Sequence, residues 1–136
     1  MDQIHYRSGY KYQLAKTYHT RVDICPEKPI VTEYIVLGLK GKLIINQGYA
    51  WDGASGPTLD TKDSMRGSLI HDALYQLIRM DLLKPEDRHQ ADRELKRACI
   101  EDGMNRIRAE LWYNAVRFFA KSAADKRNIR EIKIAP

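Results

Sequence analysis

The chain has 136 residues, the size of one ordinary domain. With 43% hydrophobic and 30% charged residues it is neither a disordered tail nor a membrane span. The formal charge is +5, but 18 acids are interspersed among the 23 bases, so the balance reads as a soluble basic surface. It permits an acidic partner such as nucleic acid, phospholipid or teichoic acid without demanding one, and nucleic acid is not the expected partner.

Cys25 and Cys99 lie far apart with no CxxC spacing, which predicts free thiols in a reducing compartment. The N-terminal run MDQIHYRSGYKYQL has no apolar centre, so no signal peptide is expected. The longest apolar runs, such as Tyr34–Leu39, are too short to span a bilayer. The expectation is one domain over residues 1–136, made in a cytoplasm without a secretion signal.

In chain order, residues up to about 60 read as strands. Tyr10, Tyr12 and Leu14 alternate with polar residues, as do Thr20, Val22 and Ile24. Residues 30–37 and 42–50 are rich in β-branched and aromatic residues, punctuated by Pro26, Pro29, Gly38 and Gly41. Three or four antiparallel strands are the simplest arrangement.

Beyond residue 60 the period becomes helical. Residues 64–82 set Ile70, Leu74, Leu77 and Ile78 on one face, with Asp63 or Ser64 as N-cap. Lys84-Pro85-Glu86-Asp87 opens a second helix over 86–102, because proline fits a first turn and acids suit its positive end. Gly103 ends it with a left-handed cap. A third helix begins near Asn105 and carries Ile107, Leu111, Trp112, Ala115, Phe118 and Phe119 as its apolar set; with Arg106, Arg108, Arg117 and Lys121 it reads as an apolar core face with a basic solvent face, or else as a helix lying on a membrane surface or on a partner. Residues 127–134 alternate again and suit a last edge strand or a loose end. The predicted class is α+β: a small N-terminal antiparallel sheet, then a three-helix bundle containing an antiparallel helix pair.

Three features can carry chemistry. The loop 48–57 (GYAWDGASGP) follows a strand and precedes a helix. Its glycines can turn several carbonyls or amides toward one point, or it can be a tight connection with Trp51 in the core. His71 and Tyr75 are four apart on the inward face of the first helix, while Asp72 is rotated by about 100° and points sideways. Asp92 sits on a mostly apolar face of the second helix with Leu95 and Cys99, where a carboxylate needs a partner. Across an antiparallel pair His71 and Asp92 come to similar levels, so a dyad can form; Asp92 can equally pair with Arg88, Arg93 or Lys96 of its own helix. The four histidines do not show zinc spacing, and Ser55 is not in a GxSxG elbow.

The runs YAWDGASGPT, HDALY and HQADRELKRA resemble an uncharacterised family of small bacteriophage and prophage proteins. The matching positions are Asp52, Ala54, Ser55 and Pro57, then His71, Asp72, Leu74 and Tyr75, then Ala91 and Asp92, within residues 40–100. Gly56 departs from the pattern, standing where an apolar residue is expected.

The same order is distantly similar to calcium-dependent phospholipases A2. That likeness implies His71 as general base for water, with Tyr75 and Asp92 holding the imidazole. It implies calcium held by Asp72 beside backbone carbonyls around Gly53–Gly56, with Ser55 in that loop, polarising an ester carbonyl; Asp52 adds a second negative charge near the same loop. Ser55 and His71 are sixteen apart, which suits a loop-to-helix layout. The chain departs from that group in carrying Asp52 inside the loop and in lacking a Tyr-x-Gly-x-Gly run and disulfides. The expectation is a phage or prophage hydrolase of lipid or another envelope ester, with phospholipid or virion proteins as partners. A non-enzymatic tail or baseplate component, or a factor that binds against host defence, is the alternative.

Overall fold

The computed structural model describes residues 4, 6–7, 12–52 and 61–119. They fall into two compact units, one up to Asp52 and one from Thr61 onward. The α+β class holds: antiparallel β-structure first, then three helices.

The first unit has seven short strands: β1 (Tyr6–Arg7), β2 (Tyr12–Leu14), β3 (Tyr18–Arg21), β4 (Ile30–Val31), β5 (Ile35–Leu37), β6 (Lys42–Ile45) and β7 (Ala50–Trp51). They form two antiparallel sheets, in the orders β1-β2-β7 and β3-β6-β5-β4. Ile35 faces Ile45 and Leu37 faces Leu43 across β5 and β6, and all four are fully buried. Their period-two neighbours Lys42 and Ile44 are exposed and half-buried, which is the alternation that pins a register.

More strands form than the three or four expected, because two long apolar runs are cut by local hydrogen bonds. In the run 30–37, the Thr32 hydroxyl accepts from the Ile35 amide at 2.9 Å, and the Thr32 amide donates to the Ile35 carbonyl at 2.8 Å. That closes a hairpin between β4 and β5. In the run 42–50, the Gly48 amide leaves the strand line to donate to the Leu14 carbonyl at 2.8 Å. Gly41, with φ +86°, is required by both conformation and space: a Cβ there would lie 2.1 Å from the Val22 carbonyl oxygen. Tyr10, expected in a strand, and residues 127–134, expected as a last edge strand or a loose end, lie outside the described residues.

The second unit comprises α1 (Lys62–Arg79), α2 (Asp87–Glu101) and α3 (Arg106–Phe119). Helix α1 starts earlier than its sequence suggests. Thr61 rather than Asp63 or Ser64 is the N-cap, and its amide donates to Ser64 Oγ at 3.0 Å. It also ends earlier, since Asp81 adopts φ 60° and turns the chain; short polar residues enter that left-handed region most readily. Every residue from Ser64 to Ile78 except Asp72 is buried, so α1 is the central helix of its unit.

Helices α1 and α2 run antiparallel: Arg66 reaches Ala98 and Asp102, while His71, further along α1, reaches Asp92, further back on α2. Gly67 permits their close approach, for a Cβ on it would meet Cys99 Sγ at 2.9 Å and the Leu95 carbonyl oxygen at 3.0 Å. Gly103, with φ +101°, ends α2 as expected, and Asn105 Oδ1 caps α3 by accepting from the Ile107 amide at 2.8 Å.

Helix α3 corrects one expectation. Its buried side chains are Ala109, Trp112 and Val116, whereas Ile107, Leu111 and Phe118 are exposed. The helix carries two apolar stripes on opposite sides, and only one can face the bundle. The Phe119 side chain lies outside the described residues. Among the described residues no helix is long and apolar enough to cross a membrane.

Candidate functional site

The site is built on the α1–α2 contact. His71 and Tyr75 sit one turn apart on α1, with ring centroids 4.1 Å apart, and both are buried. Asp92 faces them from α2 and is wholly buried. His71 Nε2 lies 2.7 Å from Asp92 Oδ1, and the Tyr75 hydroxyl donates to the same oxygen at 2.6 Å. The two helices thus bring together three of the residues singled out in the sequence.

Asp92 is paired both along its own helix and across to α3. Arg88 stands 3.9 Å from Oδ2, and the closer cation is Arg117 of α3, whose Nη1 donates to Oδ2 at 2.8 Å. Arg117 was read in the sequence as part of a basic solvent face. It sits 25 residues from Asp92, and its one local signal is its place beside the buried Val116 on the margin of the inner stripe. Arg88 in turn donates to the Arg117 backbone carbonyl at 3.4 Å, which fixes the end of α3 near the carboxylate.

Electrostatics follow from this arrangement. Burial would raise the Asp92 carboxyl, but His71, Tyr75 and Arg117 outweigh it and hold the group below the usual carboxylate range. Burial would lower His71; hydrogen bonding and charge from Asp72 and Asp92 reverse that, so its net direction is up. Burial and the Asp92 carboxylate push the Tyr75 phenol upward, so it remains a hydrogen-bond donor.

The tautomer of His71 is set by its partner. An ionised carboxylate only accepts, so the hydrogen shared with Asp92 belongs to Nε2. In the neutral ring Nδ1 then keeps its lone pair, and Nδ1 lies 3.9 Å from Asp72 Oδ1. This is the orientation of a nitrogen able to take a proton, with the opposite nitrogen anchored.

Of the expected cation ligands, Asp72 and Asp52 are among the described residues. Asp72 is the one less-buried position in the central stretch of α1, and it stands beside His71. Asp52 belongs to the first unit. Gly53, Ser55 and Gly56 lie outside the described residues. Among the described residues, no three His, Cys, Asp or Glu side chains cluster to hold a metal ion.

A second polar cluster joins α1 to the end of α2. The buried Arg66 donates through Nε to Asp102 at 3.0 Å and through Nη2 to Glu101 at 2.7 Å and to the Ala98 carbonyl at 3.3 Å. It holds the two helices together about one turn from His71, and nothing in its saturated geometry offers a reactive group. Comparison of the chain with family models, with curated proteins and with solved structures finds no match.

Proposed function

We propose that the protein is a phage- or prophage-encoded hydrolase of phospholipid or another envelope ester, with His71 as the general base. The observation that carries this reading is the 2.7 Å link between His71 Nε2 and Asp92 Oδ1, shared with the Tyr75 hydroxyl. Asp92 fixes the ring and stabilises the imidazolium that forms; Tyr75 fixes Asp92; Nδ1 takes a proton from the attacking water. Calcium belongs to the proposal as the cation that Asp72 and the segment 52–56 would hold, where it would polarise the ester carbonyl.

The test is hydrolysis of phospholipid vesicles and of a soluble ester, with and without millimolar calcium. The expected result is turnover that His71→Gln lowers by about 10²–10⁴-fold, the range of a general base. Turnover that His71→Gln leaves intact, or none on any ester, defeats the reading. For calcium the readout is the melting temperature, which a ligand of the folded state must raise and which Asp72→Ala should uncouple from calcium.

A second reading has its own observation. Asp92 is wholly buried and joins all three helices through His71, Tyr75 and Arg117, as a structural network would. In that reading the protein is a non-enzymatic tail or baseplate component, or a binding factor directed at host defence. Co-purification with virions, together with loss of stability but no hydrolysis to lose in His71→Gln, would favour it.

A further inference from the structure

We propose that the outer stripe of α3 docks the protein on an anionic phospholipid surface. Ile107, Leu111 and Phe118 are 75%, 63% and 77% exposed. At 100° per residue their side chains fall within about 40° of one another, on the side opposite the buried Ala109, Trp112 and Val116. Single exposed apolar residues need no explanation, but three aligned along one helix do.

Charge selects the occupant. Arg106 and Arg117 flank the stripe on one side and Arg108 on the other. Arg106 is exposed; Arg108 and Arg117 keep partial exposure while reaching Asp63 and Asp92. The one acid of the helix, Glu110, is engaged by Lys96. The sequence after α3 continues the sign: Lys121, Lys126, Arg127 and Arg130 stand against Asp125 within residues 120–130. An apolar stripe with basic flanks suits a headgroup boundary, where the apolar chains enter the acyl region and the guanidinium groups meet lipid phosphate.

Area argues against a second copy of the chain. Three side chains of at most about 200 Å² each fall short of the roughly 800 Å² per partner that a stable protein interface buries. A lipid surface needs no such minimum, because binding scales with the apolar area inserted and with attraction to anionic headgroups.

The test uses the full chain in co-sedimentation with vesicles of ether-linked phosphatidylcholine, with and without ether-linked phosphatidylglycerol. Ether lipids have no scissile acyl ester, so binding is read apart from hydrolysis. The expected result is binding to the anionic vesicles that weakens with salt and falls at least about tenfold in Ile107→Asp/Leu111→Asp. Both positions are exposed, so the melting temperature should hold; if it drops, Leu111→Asp alone serves as the second variant. No binding, binding that the variants do not weaken, or equal binding to phosphatidylcholine alone would overturn the proposal. So would a concentration-dependent dimer that the variants abolish, with no vesicle binding. Ester hydrolysis without vesicle binding would remove this face and leave the hydrolase reading; vesicle binding without hydrolysis would do the reverse.

Discussion

Arg117 donates to Asp92 Oδ2 at 2.8 Å, the carboxylate oxygen that His71 does not use. Asp92 thereby ties α3 to the α1–α2 pair as well as orienting the imidazole. A single fully buried anion holds three helices in register, and its partners are left unsatisfied when it is removed.

Asp92→Ala should therefore cost about 3–5 kcal/mol of unfolding free energy, the range for breaking a buried pair from one side. Arg117→Gln should cost less, about 1.5–3 kcal/mol for one charged hydrogen bond, because Arg88 is already 3.9 Å from the same oxygen. Denaturant titration of the two variants checks the order. A loss under 1 kcal/mol in Asp92→Ala would mean that the carboxylate is not the node of the unit.

Acid stability should report the same carboxylate. Asp92 and Glu101 are both held below their ordinary range, Asp92 by His71, Tyr75 and Arg117 against burial, Glu101 by Arg66 and Arg97 against burial. A folded-state pKa below the unfolded value adds stability that is present above the unfolded pKa and is lost as pH falls through the folded one. The loss should set in near the unfolded values, about pH 4, and continue below them. Unfolding midpoints measured down this range should fall more steeply in the wild type than in Asp92→Asn, and parallel curves would refute the assignment.

Gly67→Ala sets two effects against each other. Alanine favours a helix interior over glycine by about 1 kcal/mol. The added Cβ, however, meets Cys99 Sγ at 2.9 Å, Leu95 Cδ1 at 3.0 Å and the Leu95 carbonyl oxygen at 3.0 Å. The carbonyl belongs to the α2 backbone and cannot swing aside, so the helices must separate. Overpacking of this kind costs about 1–3 kcal/mol, and the net change should be destabilising. A higher melting temperature in the variant would show that the α1–α2 spacing is not set here.

The two cysteines should separate kinetically. Cys25 is exposed and Cys99 is buried. Burial, with Asp63 and Asp102 nearby, pushes the Cys99 thiol up to about 12, and the thiolate is the reactive form. A disulfide reagent near neutral pH should react promptly with one thiol in the folded protein and with two in denaturant. Two fast thiols in the native state would contradict the packing of α2 against α1.

The sequence by itself determined the class and the polar residues that need partners. The switch from period two to period 3.6 near residue 60 is a property of local spacing, and so are the left-handed end at Gly103 and the start of the third helix near Asn105. His71, Tyr75 and Asp92 could be singled out because a base or an acid on an inward helix face must be satisfied, and the antiparallel pair put them at matching levels. Local spacing could not choose between Asp92 bonding within α2 and bonding across to α1. Nor could it supply Arg117, whose approach depends on how the end of α3 folds back. The tertiary structure also decided which apolar stripe of α3 is core: both repeat at helical spacing, and only packing against the bundle separates Trp112 from Leu111. The breaks at Thr32 and Gly48 were likewise invisible to composition, because hydrogen bonds to Ile35 and Leu14 cut what read as continuous strands.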